Sequence, residues 1–336
     1  PASGARCGPG VRAAPMMVVR DQLDEFDGGG GEAVPDISIV ISTRNRAPQL
    51  ARCLQHVSMI RGRTPWELVV VNNGSTDDTA DVLSEFSRNA PFPVRIVDEP
   101  LAGLSFGRNA GLRVARGEVV VFTDDDCYVR PDFVEQYRQI FDNQALGFAG
   151  GRILLHDRTD YPVTMIESES EQRFAMGGPV PCGISQGANM AVRRRALDAA
   201  GGFDVRLGSG TDFLAEDWDI QTRIAALGWV GGYFPGPTVS HHHGRKRRNA
   251  WKLIRGYNMG SGAVSLKLLA DPRTRRIYLP HVLRRMLGDM KYHQLKIVQQ
   301  IYGAVLFLRR NRGRLLEVPA ADSNFSEIRP WVRRRR

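Results

Sequence analysis

An α/β fold is predicted for this chain: a mostly parallel central sheet with helices on both faces, followed by a basic, mostly helical C-terminal extension. Three observations predict it. Short apolar runs alternate with helix-patterned stretches from Asp36 to Thr123, the mark of βαβ units with right-handed crossovers. The apolar runs are continuous, as in strands covered on both faces. Charge is also split along the chain. Residues 244–336 carry 23 Lys/Arg against 5 Asp/Glu, whereas residues 1–243 have a net charge of −8.

Residues 1–34 read as a disordered leader, with four glycines at 28–31 and a boundary at Pro35. Met16 or Met17 is a candidate start of translation. From Asp36, Ile37-Ser38-Ile39-Val40-Ile41 is a buried strand that ends in polar residues, and a helix from Pro48 to Met59 follows. Glu67 to Val71 is the next strand, then a polar loop and a helix to Arg88. Val94 to Val97 and Glu118 to Thr123 are strands flanking a helix at Ser105 to Ala115. Further on, Gly187 to Val192 and Trp229 to Phe234 read as strands, and Arg193 to Ala200 and Glu216 to Leu227 as helices. Beyond His243, Trp251, Ile254, Tyr257, Val264 and Leu268 recur at helical spacing, and a second apolar and basic stretch runs from Val282 to Leu308.

A chain of 336 residues with 42% apolar and 24% charged residues is long enough for a large core and has globular composition. Its longest uncharged apolar stretch, Ile297 to Leu308, is about 12 residues and contains two glutamines, too short for a spanning helix. Pro1 to Pro15 has no apolar core segment of the kind a secretory signal needs. Cys7, Cys53, Cys127 and Cys182 are too scattered for a zinc ribbon and suit reduced thiols in a cytosolic setting.

Four segments carry candidate chemistry, and the first three follow strand ends or open a helix. Ligands bind at the strand C-termini of open α/β sheets. Asp124-Asp125-Asp126 ends a strand. Alternation puts Asp124 and Asp126 on one side, suited to Mg²⁺ or Mn²⁺; an acidic turn that caps the next helix is the plain alternative. Asn72-Asn73-Gly74-Ser75-Thr76-Asp77 is either a loop with Ser75 or Thr76 as N-cap, or a loop that meets a nucleotide base or ribose. Glu216 and Asp217 open a helix. There they serve either the helix dipole or general-base catalysis. In His241-His242-His243, alternation puts His241 and His243 on one face, as metal or diphosphate contacts or as an exposed turn. Arg44, Arg46 and Arg108 are candidates for pairing with phosphate.

Taken together and in order, these segments resemble a family 2 glycosyltransferase of the Rossmann-like GT-A fold. The matching elements are Ile41 to Arg46, Val71 to Asp77, Gly107-Arg108-Asn109-Ala110-Gly111, Asp124 to Asp126, Glu216-Asp217 and Val239 to Gly244. The resemblance covers about residues 36–245. It implies a catalytic domain at 35–245, with a nucleotide-sugar half at 35–127, an acceptor half at 128–245 and the basic helical region at 246–336. It also implies a nucleoside diphosphate sugar donor, a UDP-sugar first, together with Mn²⁺ or Mg²⁺ and an inverting transfer to an acceptor hydroxyl on a glycan, a lipid-linked glycan or a small molecule.

Position by position, Thr43, Arg44 and Arg46 fall in the nucleotide pocket, Asn72 and Asn73 at the base, and Arg108 near the donor. Asp126 falls at the metal, with Asp124 at the ribose or metal shell and Asp125 beside them. His241 is the metal-side histidine and His243 its rival. Asp217 is the base and Glu216 its neighbour. The acceptor side is assigned to Gly187, Asn189 and Trp218. Asn72 departs from the family's frequent Asp, which weakens the inference to uridine.

Two other function classes compete. A nucleotidyltransferase would carry a Gly-rich basic loop after the first strand, and Thr43-Arg44-Asn45-Arg46 lacks glycine. A non-catalytic binding module would have lost the metal or base carboxylates, which are present. A Rossmann dehydrogenase is excluded by the missing G-x-G-x-x-G. For the basic extension the expectations are an anionic membrane face, reached from the cytoplasmic side, or packing on the catalytic domain. Nucleic acid is not expected, since no RNA-binding signature interleaves aromatics with the charges.

Overall fold

The computed structural model describes residues 18–21 and 34–318. Four parallel strands form its first half: β2 (Ile37–Thr43), β3 (Trp66–Asn72), β4 (Val94–Asp98) and β5 (Val119–Asp124), in the order β4-β3-β2-β5. Helices α1 (Ala47–Val57), α2 (Thr79–Asn89) and α3 (Leu104–Val114) connect them. Alternation along each strand sends side chains to two separate cores. Val40, Val69, Val71, Val120 and Phe122 enter one with Ala110 of α3. Ile39, Ile41, Leu68, Val70 and Val121 enter the other with Leu50 and Leu54 of α1 and Leu83 of α2. Two apolar faces explain why these strands read as unbroken hydrophobic runs.

Register fixes the functional rim. Thr43 pairs with Asn72, Asn72 with Asp98, and Ser42 with Asp124, so the polar ends of four strands stand in one row. Inside the stretch read as a disordered leader, Val18–Asp21 is a strand, β1, paired antiparallel with β4. It pairs with an edge that the parallel strands leave open. The rest of that leader lies outside the described residues.

The second half adds β6 (Cys127–Val129), α4 (Phe133–Ile140), β7 (Leu146–Leu155), β8 (Gln172–Phe174), β9 (Asn189–Arg193), α5 (Arg194–Ala199), α6 (Glu216–Ala226) and β10 (Val230–His241). Strand β9 runs antiparallel to both β5 and β7, β10 runs parallel to β7, and β6 runs antiparallel to β10. Pairing of His241 with Cys127 brings the histidine segment beside the end of β5. The sequence reading ended a strand at Phe234, before Pro235-Gly236-Pro237. The structure continues it to His241, because a register shift between Tyr233 and Thr238 absorbs the prolines.

The basic extension is part of the same body. Helix α7 (Arg247–Ala270) is followed by α8 (Pro272–Tyr292) and α9 (Gln294–Arg310). Met259, Ala263, Val264, Leu268, Tyr278 and Phe307 from these helices join the core of α6 and Phe122. The helices cross closely: a Cβ on Gly262 would meet the Gln300 backbone oxygen, and one on Gly303 would meet that of Met259. Behind this crossing the fully buried Asp204 accepts a hydrogen bond from Arg206 Nη2 at 2.6 Å and one from Lys267 Nζ at 2.7 Å. Lys267 also pairs with Asp219 of α6 at 2.5 Å. Residues 319–336, including Arg333 to Arg336, lie outside the described residues.

Asp204 therefore fastens α7 to the catalytic half. Burial opposes ionisation of its carboxyl, but Lys267 and Arg206 outweigh that and hold its pKa below 3.8. A depressed pKa contributes stability that is present above the unfolded-state value and lost as pH falls through the folded one. Asp204→Asn should cost about 3–5 kcal/mol near neutral pH, the usual cost of breaking a buried pair. In urea titrations the gap to the parent chain should narrow as pH falls below 3.8.

Candidate active site

The rim of strand ends opens into a cavity of about 350 Å³. Thr43, Arg44 and Arg46 enter from the end of β2, Asp124 to Asp126 from β5, and Arg108 from α3. Glu216 and Asp217 come from the first turn of α6, and His241 from the end of β10. Two acidic segments far apart in sequence thus share one cavity.

At the β5 end the three aspartates differ in their surroundings. Asp125 is buried and accepts a 2.6 Å hydrogen bond from Thr43 Oγ1, with Arg46 Nε 2.9 Å from its other oxygen. Burial dominates there and pushes its pKa up to about 7. Asp126 is buried too, but Arg46 Nη2 donates to it at 2.6 Å and His241 Nε2 lies 3.2 Å away. The histidine contact and these positive charges outweigh burial and hold Asp126 at about 2. Asp124 is half-buried and lies 3.4 Å from Arg108 Nη2.

The donor atoms of Asp124, Asp126, Cys127 and His241 lie within 4.8 Å of one another, and no other such group of three or more occurs among the described residues. Two carboxylates and an imidazole suit Mg²⁺ or Mn²⁺. The Cys127 thiol suits them poorly, because burial and the neighbouring aspartates keep it protonated. The set fits a hard divalent cation, which Asp126, Asp124 and His241 could hold.

At the α6 start, Arg108 Nη1 donates to Glu216 Oε1 at 2.7 Å, and the guanidinium packs over the rings of Phe122 and Phe203. Burial and the charge of Asp217 raise the Glu216 pKa to about 7 against the pull of Arg108. Asp217 accepts the Gly187 N–H at 3.0 Å and the Trp218 N–H at 2.7 Å, and faces the cavity half-exposed. Burial raises its pKa as well, opposed by those two amides and Arg108.

Other expected site residues stand elsewhere. Asn72 does not line the cavity. Its Nδ2 donates to Asp98 Oδ1 at 2.9 Å and its Oδ1 accepts the Ser75 N–H. An aspartate at position 72 would face Asp98, which gives a physical reason for the departure to Asn. Asn73 does line the cavity, but its amide is spent on Glu99 O, Leu101 O and the Gly103 N–H. The N-cap of α2 is neither Ser75 nor Thr76 but Asp78, which makes no side-chain capping bond, while Asp77 Oδ1 accepts from the Thr79 N–H and hydroxyl.

His243 turns away to Asp160 and takes the Arg245 N–H on Nδ1, which leaves His241 as the histidine at the aspartates. On the acceptor side, Gly187 lines the cavity, but Asn189 is a fully buried brace between Tyr137 and the carbonyls of Arg152 and Pro237. Trp218 is also buried, donating to Val180 O. Sequence reasoning did not single out Ser209, Arg245, Leu253 or Tyr257 for the site, and all four line the cavity. They come from loops and from α7, where no spacing signal marks a lining residue.

Residues 38–200 match the model for glycosyl transferase family 2. The probable glycosyltransferase YdaM of Bacillus subtilis is 25% identical over 81% of this chain and 65% of its own length. Glycosyltransferase AglE of Haloferax volcanii is 22% identical over 73% of this chain and 78% of its own. Among solved structures, the mannosyltransferase PcManGT from Pyrobaculum calidifontis, in complex with GDP-Man and Mn²⁺, has a TM-score of 0.58 at 21% identity, covering 82% of this chain and 75% of that one. The TarS fragment of S. aureus in complex with UDP-GlcNAc has a TM-score of 0.60 at 17% identity, over 82% and 81%. These likenesses coincide with an ordered set of motifs that meet in one cavity at the strand ends: residues 38–200 match glycosyltransferase family 2, and the chain has the GT-A fold of its solved neighbours.

Proposed function

We propose that the enzyme moves a sugar from a nucleoside diphosphate sugar to an acceptor hydroxyl in one displacement, with inversion at the anomeric carbon. The observation that carries this reading is the meeting of Asp126 and Asp217 in one cavity. One is a fully ionised carboxylate paired with cationic groups, and the other is a carboxylate of raised pKa held by two backbone amides. The first suits a diphosphate with its counter-ion, and the second suits proton removal. A UDP-sugar is the first candidate donor and GDP-mannose the second, since solved neighbours carry UDP-GlcNAc and GDP-Man.

In this reading Asp217 accepts the proton of the acceptor hydroxyl as that oxygen attacks the anomeric carbon. Its lone pairs are oriented by the Gly187 and Trp218 amides. Arg46, Arg108 and Arg245 offset the charge that grows on the departing diphosphate, most effectively where water is excluded. Asp126, Asp124 and His241 would hold Mn²⁺ or Mg²⁺, which would supply further positive charge against the diphosphate. Glu216 positions Arg108 between the two acidic groups. The acceptor enters between Gly187 and the α7 wall of Leu253 and Tyr257.

Three variants test these roles. Asp217→Asn should retain donor binding and lose about 10²–10⁴-fold in transfer; near-normal turnover with any nucleotide sugar shown to bind sinks the assignment. Asp126→Asn should weaken Mn²⁺-dependent donor binding at least about tenfold, or about 1.4 kcal/mol, by titration calorimetry; the difference should vanish when the metal is chelated. In Gly187→Ala the new Cβ would lie 2.3 Å from Arg108 Nη2. Displacing that guanidinium should lower kcat of the folded enzyme about 10²-fold, and an unaltered kcat removes Arg108 from the transfer step.

A further inference from the structure

Helices α8 and α9 carry an apolar face that nothing covers among the described residues. On α8, Leu279, Leu283 and Leu287 recur every four residues and are exposed, while Tyr278 and Val282 are buried behind them. On α9, Leu295, Val298 and Tyr302 are exposed at helical spacing, while Ile297 and Phe307 face the core. Exposure reaches 66% at Leu287 and 70% at Leu295, far from the burial that core leucines attain. The ion pair of Lys296 with Asp289, at 2.9 Å, ties the two helices together across their turn. Exposed apolar stripes of this kind mark an interaction site.

Charge selects the occupant. Residues 272–314 hold 11 Lys/Arg and one acidic residue, Asp289. That aspartate is already spent on Lys296. A second copy would bring the same excess of positive charge against this one. An anionic bilayer offers both an apolar interior for the leucines and a negative surface for the arginines. No helix among the described residues is long and apolar enough to cross a membrane, so the geometry calls for a surface that lies on the bilayer. The same extension supplies Leu253 and Tyr257 to the cavity and exposes Trp251 and Ile254 one turn away.

We propose that α8 and α9 form an interfacial face that seats the enzyme on anionic lipid, with the leucines of both helices at the headgroup boundary and the flanking arginines on lipid phosphates. The proposal does not depend on the donor or on the transfer chemistry.

Flotation of the full chain with vesicles of phosphatidylcholine, alone or mixed with phosphatidylglycerol, tests it. The chain should float with the mixed vesicles, much less with the neutral ones, and be released in part by high salt. Leu287→Glu with Val298→Glu should lower partitioning at least about tenfold at unchanged melting temperature. Arg309→Gln with Arg312→Gln, which leaves the apolar face intact, should lower it roughly tenfold. Failure to float with the mixed vesicles overturns the proposal, as does undiminished binding by both variants. A dimer in vesicle-free buffer that the Leu287→Glu, Val298→Glu chain no longer forms would also overturn it, because the face would then belong to a second copy.

Discussion

Crowding of carboxylates in one cavity is the constraint on which the site depends. Asp124, Asp125, Asp126, Glu216 and Asp217 all line it, most of them buried. Like charges at such density cannot all ionise without cations among them. Arg46 bridges Asp125 and Asp126, and Arg108 bridges Glu216 and Asp124. The outcome is a division of states. Asp126 is held at about 2 by His241 and the arginines, whereas burial carries Asp125 and Glu216 up to about 7. One residue type thereby serves as a permanent anion at one point and as a proton-holding group at another.

The same balance explains how the basic extension relates to the acidic body. Part of its charge points inward. Lys267 reaches Asp204 and Asp219, and Arg285 donates to Ser265 Oγ while stacking over Trp218. These contacts fix α7 against α6, whose first turn holds Glu216 and Asp217. Leu253 and Tyr257 then stand as one wall of the cavity. The extension is therefore structural where it meets the catalytic half, and only its outward charge and apolar faces are left for a partner.

Legibility in the sequence followed periodicity. Parallel strands buried on both faces and amphipathic helices announce themselves locally, and β2 to β5 and α1 to α3 fall close to where their residue patterns put them. Strand β10 was read in two pieces, Trp229 to Phe234 and a strand around Val239, because proline usually ends a strand, while here a bulge accommodates it. Asn72 was expected at the base and stands outside the cavity, because its partner, Asp98, sits on the neighbouring strand. Asn189 was expected at the acceptor side and is a buried brace, since its partners come from α4, β7 and β10.

The sequence by itself determined the layer architecture, the family resemblance and the short list of acidic groups, because strand period, loop chemistry and motif order are local properties. Only the tertiary structure decided which members of that list act together. Setting His241 beside the aspartates and His243 against Asp160, pairing Glu216 with Arg108 while Asp217 takes two backbone amides, and recruiting Arg245, Leu253 and Tyr257 all depend on registers and helix crossings between distant segments. Ionisation states belong with that second group, since the field at each carboxylate is set by neighbours remote in the chain.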